Sequence, residues 1–110
     1  MKARIKSIDV NAKEWFDSYN GNSYFSGQIV INYGLKSERV LYMPFQYGYG
    51  SYFEYEALKT IKKHINKKVV KDFGNNIALW TFCSENNIIK RTNKQENCKK
   101  SEVKDFGNES

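Results

Sequence analysis

The stretch Tyr47-Gly48-Tyr49-Gly50-Ser51-Tyr52, followed by Tyr55, holds the side chains best suited to chemistry in this sequence. That chemistry is non-covalent. A tyrosine offers a flat apolar face and a hydroxyl, and it has little side-chain entropy to lose on binding. The run from Tyr42 to Tyr55 contains seven of the 17 aromatic residues (two Trp, eight Tyr and seven Phe). A core does not need so many phenols beside flexible glycines; a recognition surface does. Lys59, Lys62 and Lys63 follow at helical spacing. With Tyr47, Tyr49, Tyr52 and Tyr55 they make one candidate partner-binding patch. Such residues anchor protein interfaces. Stacking rings beside cations also hold single-stranded nucleic acid. The residue types suit both occupants.

Catalytic readings fare worse. Gly48, Gly50 and Ser51 precede a helix start, where free amides and the helix dipole attract anions. They give a minor candidate phosphate site and a reading as a nucleotide-sequestering protein. The full phosphate-loop signatures are missing, and Ser51 and Glu54 match a capping box that would occupy those amides. Asp72-Phe73-Gly74 and Asp105-Phe106-Gly107 match the metal-binding triplet of protein kinases, without the rest of that assembly. His64 is the only histidine and has no recognisable nucleophile or orienting partner. Glu54 and Glu56 are two apart and diverge on a helix. Cys83 and Cys98 cannot make a zinc site with one distant histidine. The expectation is a protein that is not an enzyme and holds no cofactor or metal.

The elements that must position the patch follow from hydrophobic period. Residues 2–18 read as a long strand with a bulge near Lys6-Ser7, where the apolar parity changes. Asn20-Gly21 signals a hairpin. Phe25, Gly27, Ile29, Ile31 and Tyr33 then share one face of a second strand. Leu41, Met43, Phe45 and Tyr47 share one face of a third, with Pro44 marking an edge. A helix is expected from Tyr52 to Ile65, burying Phe53, Ala57, Leu58, Ile61 and Ile65. Val69–Phe73 reads as a fourth strand and Ile77–Phe82 as a fifth strand or core-packed segment. The expected fold class is α+β: a two-layer domain with an antiparallel meander of three to five strands under one main helix, in the order β-β-β-α-β(-β).

The domain is expected over residues 1–83. Residues 84–110 are polar and read as a flexible tail, removable without loss of the fold. Val70–Asn75 recurs letter for letter as Val103–Asn108. Local duplication accounts for this; the alternative is a second strand-like copy exchanged between protomers.

The chain has 110 residues and a net charge of +6. Residues 51–75 hold 6 basic and 3 acidic residues, the densest excess. This balance favours anionic partners. No apolar run reaches the ~18–20 residues of a membrane span, and no secretory leader follows Met1. The expected location is the cytoplasm.

Asn20–Ser26, Pro44–Gly50 and Phe53–Ala57 together resemble a group of small phage and prophage accessory proteins. The resemblance covers about residues 1–65. It implies a bacterial host cytoplasm and a protein that binds and blocks a host defence protein or ribonucleoprotein complex, as anti-CRISPR and anti-restriction proteins do. Many of those mimic DNA with acidic surfaces. A chain of +6 does not, so inhibition here implies covering an acidic surface or competing for nucleic acid.

Overall fold

A computed structural model describes residues 5–64 and 78–108. It is an α+β fold built on a four-stranded sheet. The strands are β1 (Ser7–Asp17), β2 (Asn22–Ile31), β3 (Arg39–Tyr47) and β4 (Ile89–Gln95); the helices are α1 (Tyr52–His64), α2 (Leu79–Glu85) and α3 (Lys100–Phe106). The sheet order is β3-β2-β1-β4. The first three strands form the expected antiparallel meander. β4 then adds to β1 in parallel, so the sheet is mixed. A parallel partner needs a crossover, and α1 and α2 lie on that connection.

The main core lies on one sheet face. Ile8, Val10 and Ala12 of β1, Phe25, Ile29 and Ile31 of β2, and Leu41 and Met43 of β3 meet Phe53, Ala57, Leu58 and Ile61 of α1. Leu79, Phe82 and Cys83 of α2 complete it. Residues 79, 82 and 83 follow helical spacing, so from Leu79 on the segment expected as a fifth strand or a core-packed segment is a core-packed helix that turns these three inward.

The strands depart from simple alternation in three places. β1 pairs regularly from Ile8; the change of parity near Lys6 is an approach to the strand, not a bulge within it. There the Asn32 side chain accepts hydrogen bonds from the Lys6 and Ser7 amides (2.6 and 3.3 Å). Asn32 itself has φ 57°, which ends the alternation of β2 and leaves Tyr33 67% exposed rather than inward. The third departure matters most. Gly27 pairs with Met43 but Phe25 pairs with Gln46, so β3 holds one extra residue around Pro44. Proline has no N–H for the ladder and suits such a bulge. The bulge reverses parity: Leu41 and Met43 face the core, while Phe45 and Tyr47 turn to the opposite face.

The polar segment after residue 83 is not a loose tail. Lys90, Thr92 and Lys94 register with Ile8, Val10 and Ala12 and share their face. At the sheet margin the aliphatic stems of Lys90 and Lys94 cover the core while their ammonium groups pair with Glu54 and Glu14. A strand built this way shows no apolar alternation. α3 packs on the other face of the sheet, with Val103 fully buried. Ser26 Oγ donates to the Val103 carbonyl, and Gln28 Nε2 to that of Phe106 (3.1 Å). A side chain at Gly107 would collide with the Met43 carbonyl and Ser26. The second copy of the repeated hexapeptide is therefore helix and close-approach glycine, not an exchangeable strand. Its first copy, and the expected strand over Val69–Phe73, lie outside the described residues.

Candidate binding surface

The four tyrosines of the patch are exposed: Tyr47 56%, Tyr49 67%, Tyr52 40% and Tyr55 45%. They line the end of the sheet where β3 passes into α1. Tyr47, Tyr49 and Tyr52, with Gly48, Gly50 and Ser51, wall an open depression of about 700 Å³.

The local sequence explains how this bend forms. Gly48 is buried, and a Cβ there would lie 2.6 Å from Phe25 Cε1 and 2.7 Å from Tyr52 Cδ2. Only glycine lets both rings cross the backbone. Gly50 has φ 63°, a left-handed turn that glycine adopts without steric cost. It redirects the chain into α1. The Gly48 amide donates to the Ser23 carbonyl (3.1 Å), the Tyr52 amide to that of Tyr49 (3.2 Å) and the Glu54 amide to that of Ser51 (3.0 Å). Of the candidate phosphate residues Gly48, Gly50 and Ser51, Gly48 thus spends its amide within the chain, as do Tyr52 and Glu54 at the helix start. Glu54 does not complete the expected capping box; its carboxylate pairs with Lys90 Nζ at 3.1 Å.

The exposed rings are fixed from behind. On the face opposite the main core, Trp15, Tyr24 and Phe45 form a triangle. Trp15–Tyr24 centroids lie 5.6 Å apart, Tyr24–Phe45 5.2 Å and Trp15–Phe45 6.3 Å. α3 clasps this cluster: Lys100 Nζ lies 5.1 Å from the Trp15 ring centre and Lys104 Nζ 5.6 Å from that of Phe45. Tyr47 meets Tyr24 edge to face at 5.9 Å, and Tyr49 meets Tyr47 the same way at 6.4 Å. Around the bend, Tyr52 meets the buried Phe25 edge to face at 6.0 Å and lies tilted against Tyr55 at 5.6 Å. The Tyr52 hydroxyl donates to Glu56 Oε1 at 2.9 Å. That bond holds the phenol's ionisation above its ordinary range.

Tyr52, Tyr55, Lys59, Lys62 and Lys63 follow one stripe of α1 by three- and four-residue steps. Lys59 Nζ sits 5.6 Å from the Tyr55 ring centre and 3.5 Å from Glu56 Oε1. Lys63 is exposed. Other cations near the depression are held inside the chain: Lys94 Nζ bonds Glu14 (3.0 Å) and the Gly50 carbonyl (2.9 Å). The tyrosine end of the patch is therefore close to neutral, and the lysine end is basic.

Trp15, Tyr24 and Phe45 support the patch and Trp80 borders it, roles not expected of them from residue order. Trp15 and Tyr24 could have been paired by counting back from the hairpin. Phe45 could not, because the bulge reverses its face. Trp80 is 65% exposed on α2 and lines a smaller groove with Ser51, Glu54 and Tyr55.

The exposed His64 ring has Nδ1 2.9 Å from the Thr60 carbonyl, one turn back. Cys83 and Cys98 are buried free thiols, and burial pushes Cys83 up to about 11. Among the described residues no cluster of His, Cys, Asp or Glu could hold a metal ion, and no helix is long and apolar enough to cross a membrane.

In comparisons with known proteins, no family model, no curated protein and no solved structure matches this chain.

Proposed function

We propose that this chain is a small non-catalytic binding protein that inhibits a host defence complex in the cytoplasm of a phage-infected bacterium. Its contact surface is the depression walled by Tyr47, Tyr49 and Tyr52, extended by Tyr55 and the Lys59–Lys63 stripe. The observation that carries this reading is the bracing of exposed rings by edge-to-face contacts to a clasped aromatic cluster. Binding then costs little ordering of side chains, which is what a tight interface requires. The near-neutral tyrosine end favours a protein surface over a phosphate backbone. The defence target comes from the phage-protein resemblance. Capture with the tagged chain from phage-infected lysate, followed by an activity assay on the captured complex, tests it. Recovery of a defence component whose activity falls supports the reading; capture of unrelated proteins alone refutes it.

A second reading, single-stranded nucleic acid, draws support from Lys100 and Lys104 lying over Trp15 and Phe45. It requires binding to random oligonucleotides that weakens steeply with salt.

A further inference from the structure

We infer that the tyrosine depression continues past Ser51 into the groove beside Trp80, and that this combined surface takes an extended peptide segment of the partner, apolar along the aromatic part and acidic at the Lys59–Lys63 end. The inference rests on the proposed binding role of the tyrosines and specifies what they hold.

Three observations carry it. First, the two concavities share a wall residue: Ser51 lines both, and the smaller one, about 270 Å³, runs between Tyr55 of α1 and Trp80 of α2. Trp80 is exposed because α2 spends Leu79, Phe82 and Cys83 on the core. A solvent-facing tryptophan beside a tyrosine-walled depression is the kind of residue that dominates binding energy.

Second, charge runs along the surface rather than across it. Glu54 and Glu56, at the aromatic end, are balanced by Lys90 and Lys59. Beyond that pair, from Thr60 to His64, the chain carries Lys62 and Lys63 and no acid, and Arg39 reaches the same helix end through the His64 carbonyl at 2.8 Å. A nucleic-acid strand carries charge at every step, which the near-neutral aromatic end does not match. A peptide with its carboxylates grouped at one end matches the gradient.

Third, the surface is made by helix side chains and a turn. Recognition here runs through pockets for side chains, not through addition of a strand to a sheet edge.

A phage-displayed random dodecapeptide library, selected on the immobilised full chain and counter-selected on the Tyr49→Ala/Trp80→Ala variant, tests the inference. Enriched peptides should pair an apolar or aromatic stretch with clustered Asp or Glu. A synthetic copy should lose about tenfold or more in affinity on Trp80→Ala. It should lose a similar factor on Lys63→Glu, which reads the acidic end without touching Trp80 or Tyr55. Failure to enrich peptides over the counter-selection would overturn the inference. So would acid-free winners, unchanged affinity in either variant, or displacement of the peptide by oligothymidine. Capture of a defence complex that depends on Tyr49 while no peptide is selected would sink the segment and leave the proposed function standing. Selected acidic peptides without any captured defence component would support the segment and fail the proposed function.

Discussion

Glu14 and Lys94 meet at 3.0 Å across the β1–β4 pair, with only 12% and 15% of their side chains exposed. Lys94 also donates to the Gly50 carbonyl at 2.9 Å. One ammonium group thus joins the last strand, the first strand and the bend that carries the tyrosines. Removing either partner leaves a part-buried charge with fewer bonds. Lys94→Ala is expected to lower stability by about 1–3 kcal/mol, read as a shift of the urea midpoint with unchanged slope. In a double-mutant cycle with Glu14→Ala the two losses should not add.

Deleting residues 84–110 should abolish cooperative thermal unfolding. The truncation removes β4, which covers the margin of β1, and the fully buried Val103 of α3. A truncated chain that melted cooperatively would show that both elements are dispensable.

Gly107→Ala is expected to destabilise by about 1–3 kcal/mol, because the new methyl would collide with backbone at Met43 and with Ser26. Gly34→Ala meets no atom within 4 Å but has φ 80°; it tests conformational strain alone. Comparing the two by chemical denaturation separates close approach from backbone strain.

Burial holds the Cys83 thiol neutral to about 11, against 9.0 unperturbed. The unfolded chain therefore loses this proton first. The contribution is fully present below about pH 9 and is lost as pH rises toward 11. Stability measured across that window should fall, and Cys83→Ala should flatten the fall. Alkylation of native Cys83 at neutral pH should be slow, since the reactive thiolate is scarce.

Much of this architecture was legible from residue order. The three-stranded meander and α1 follow from period-two and helical spacing at Ile29, Leu41, Phe53 and Ile61. The exposed tyrosines were legible from their number beside glycines. Two features were hidden for identifiable reasons. Pro44 reverses the face of Phe45 and Tyr47 through a one-residue bulge, a choice no alternation pattern reports. β4 buries lysine stems and satisfies their charges on Glu14 and Glu54, partners more than thirty residues away in sequence. α3 was hidden likewise, because Val103 is its only fully buried apolar side chain.

The proposed contact surface centres on Tyr49, braced by Tyr47 and otherwise open to solvent. Its replacement by alanine should change stability by no more than about 0.5 kcal/mol. Capture of the partner from phage-infected lysate by the intact chain and by Tyr49→Ala, at equal concentration and with matched melting curves, is the direct measurement. The variant is expected to recover about tenfold less partner or lower still. Equal recovery by both proteins would contradict the proposed surface.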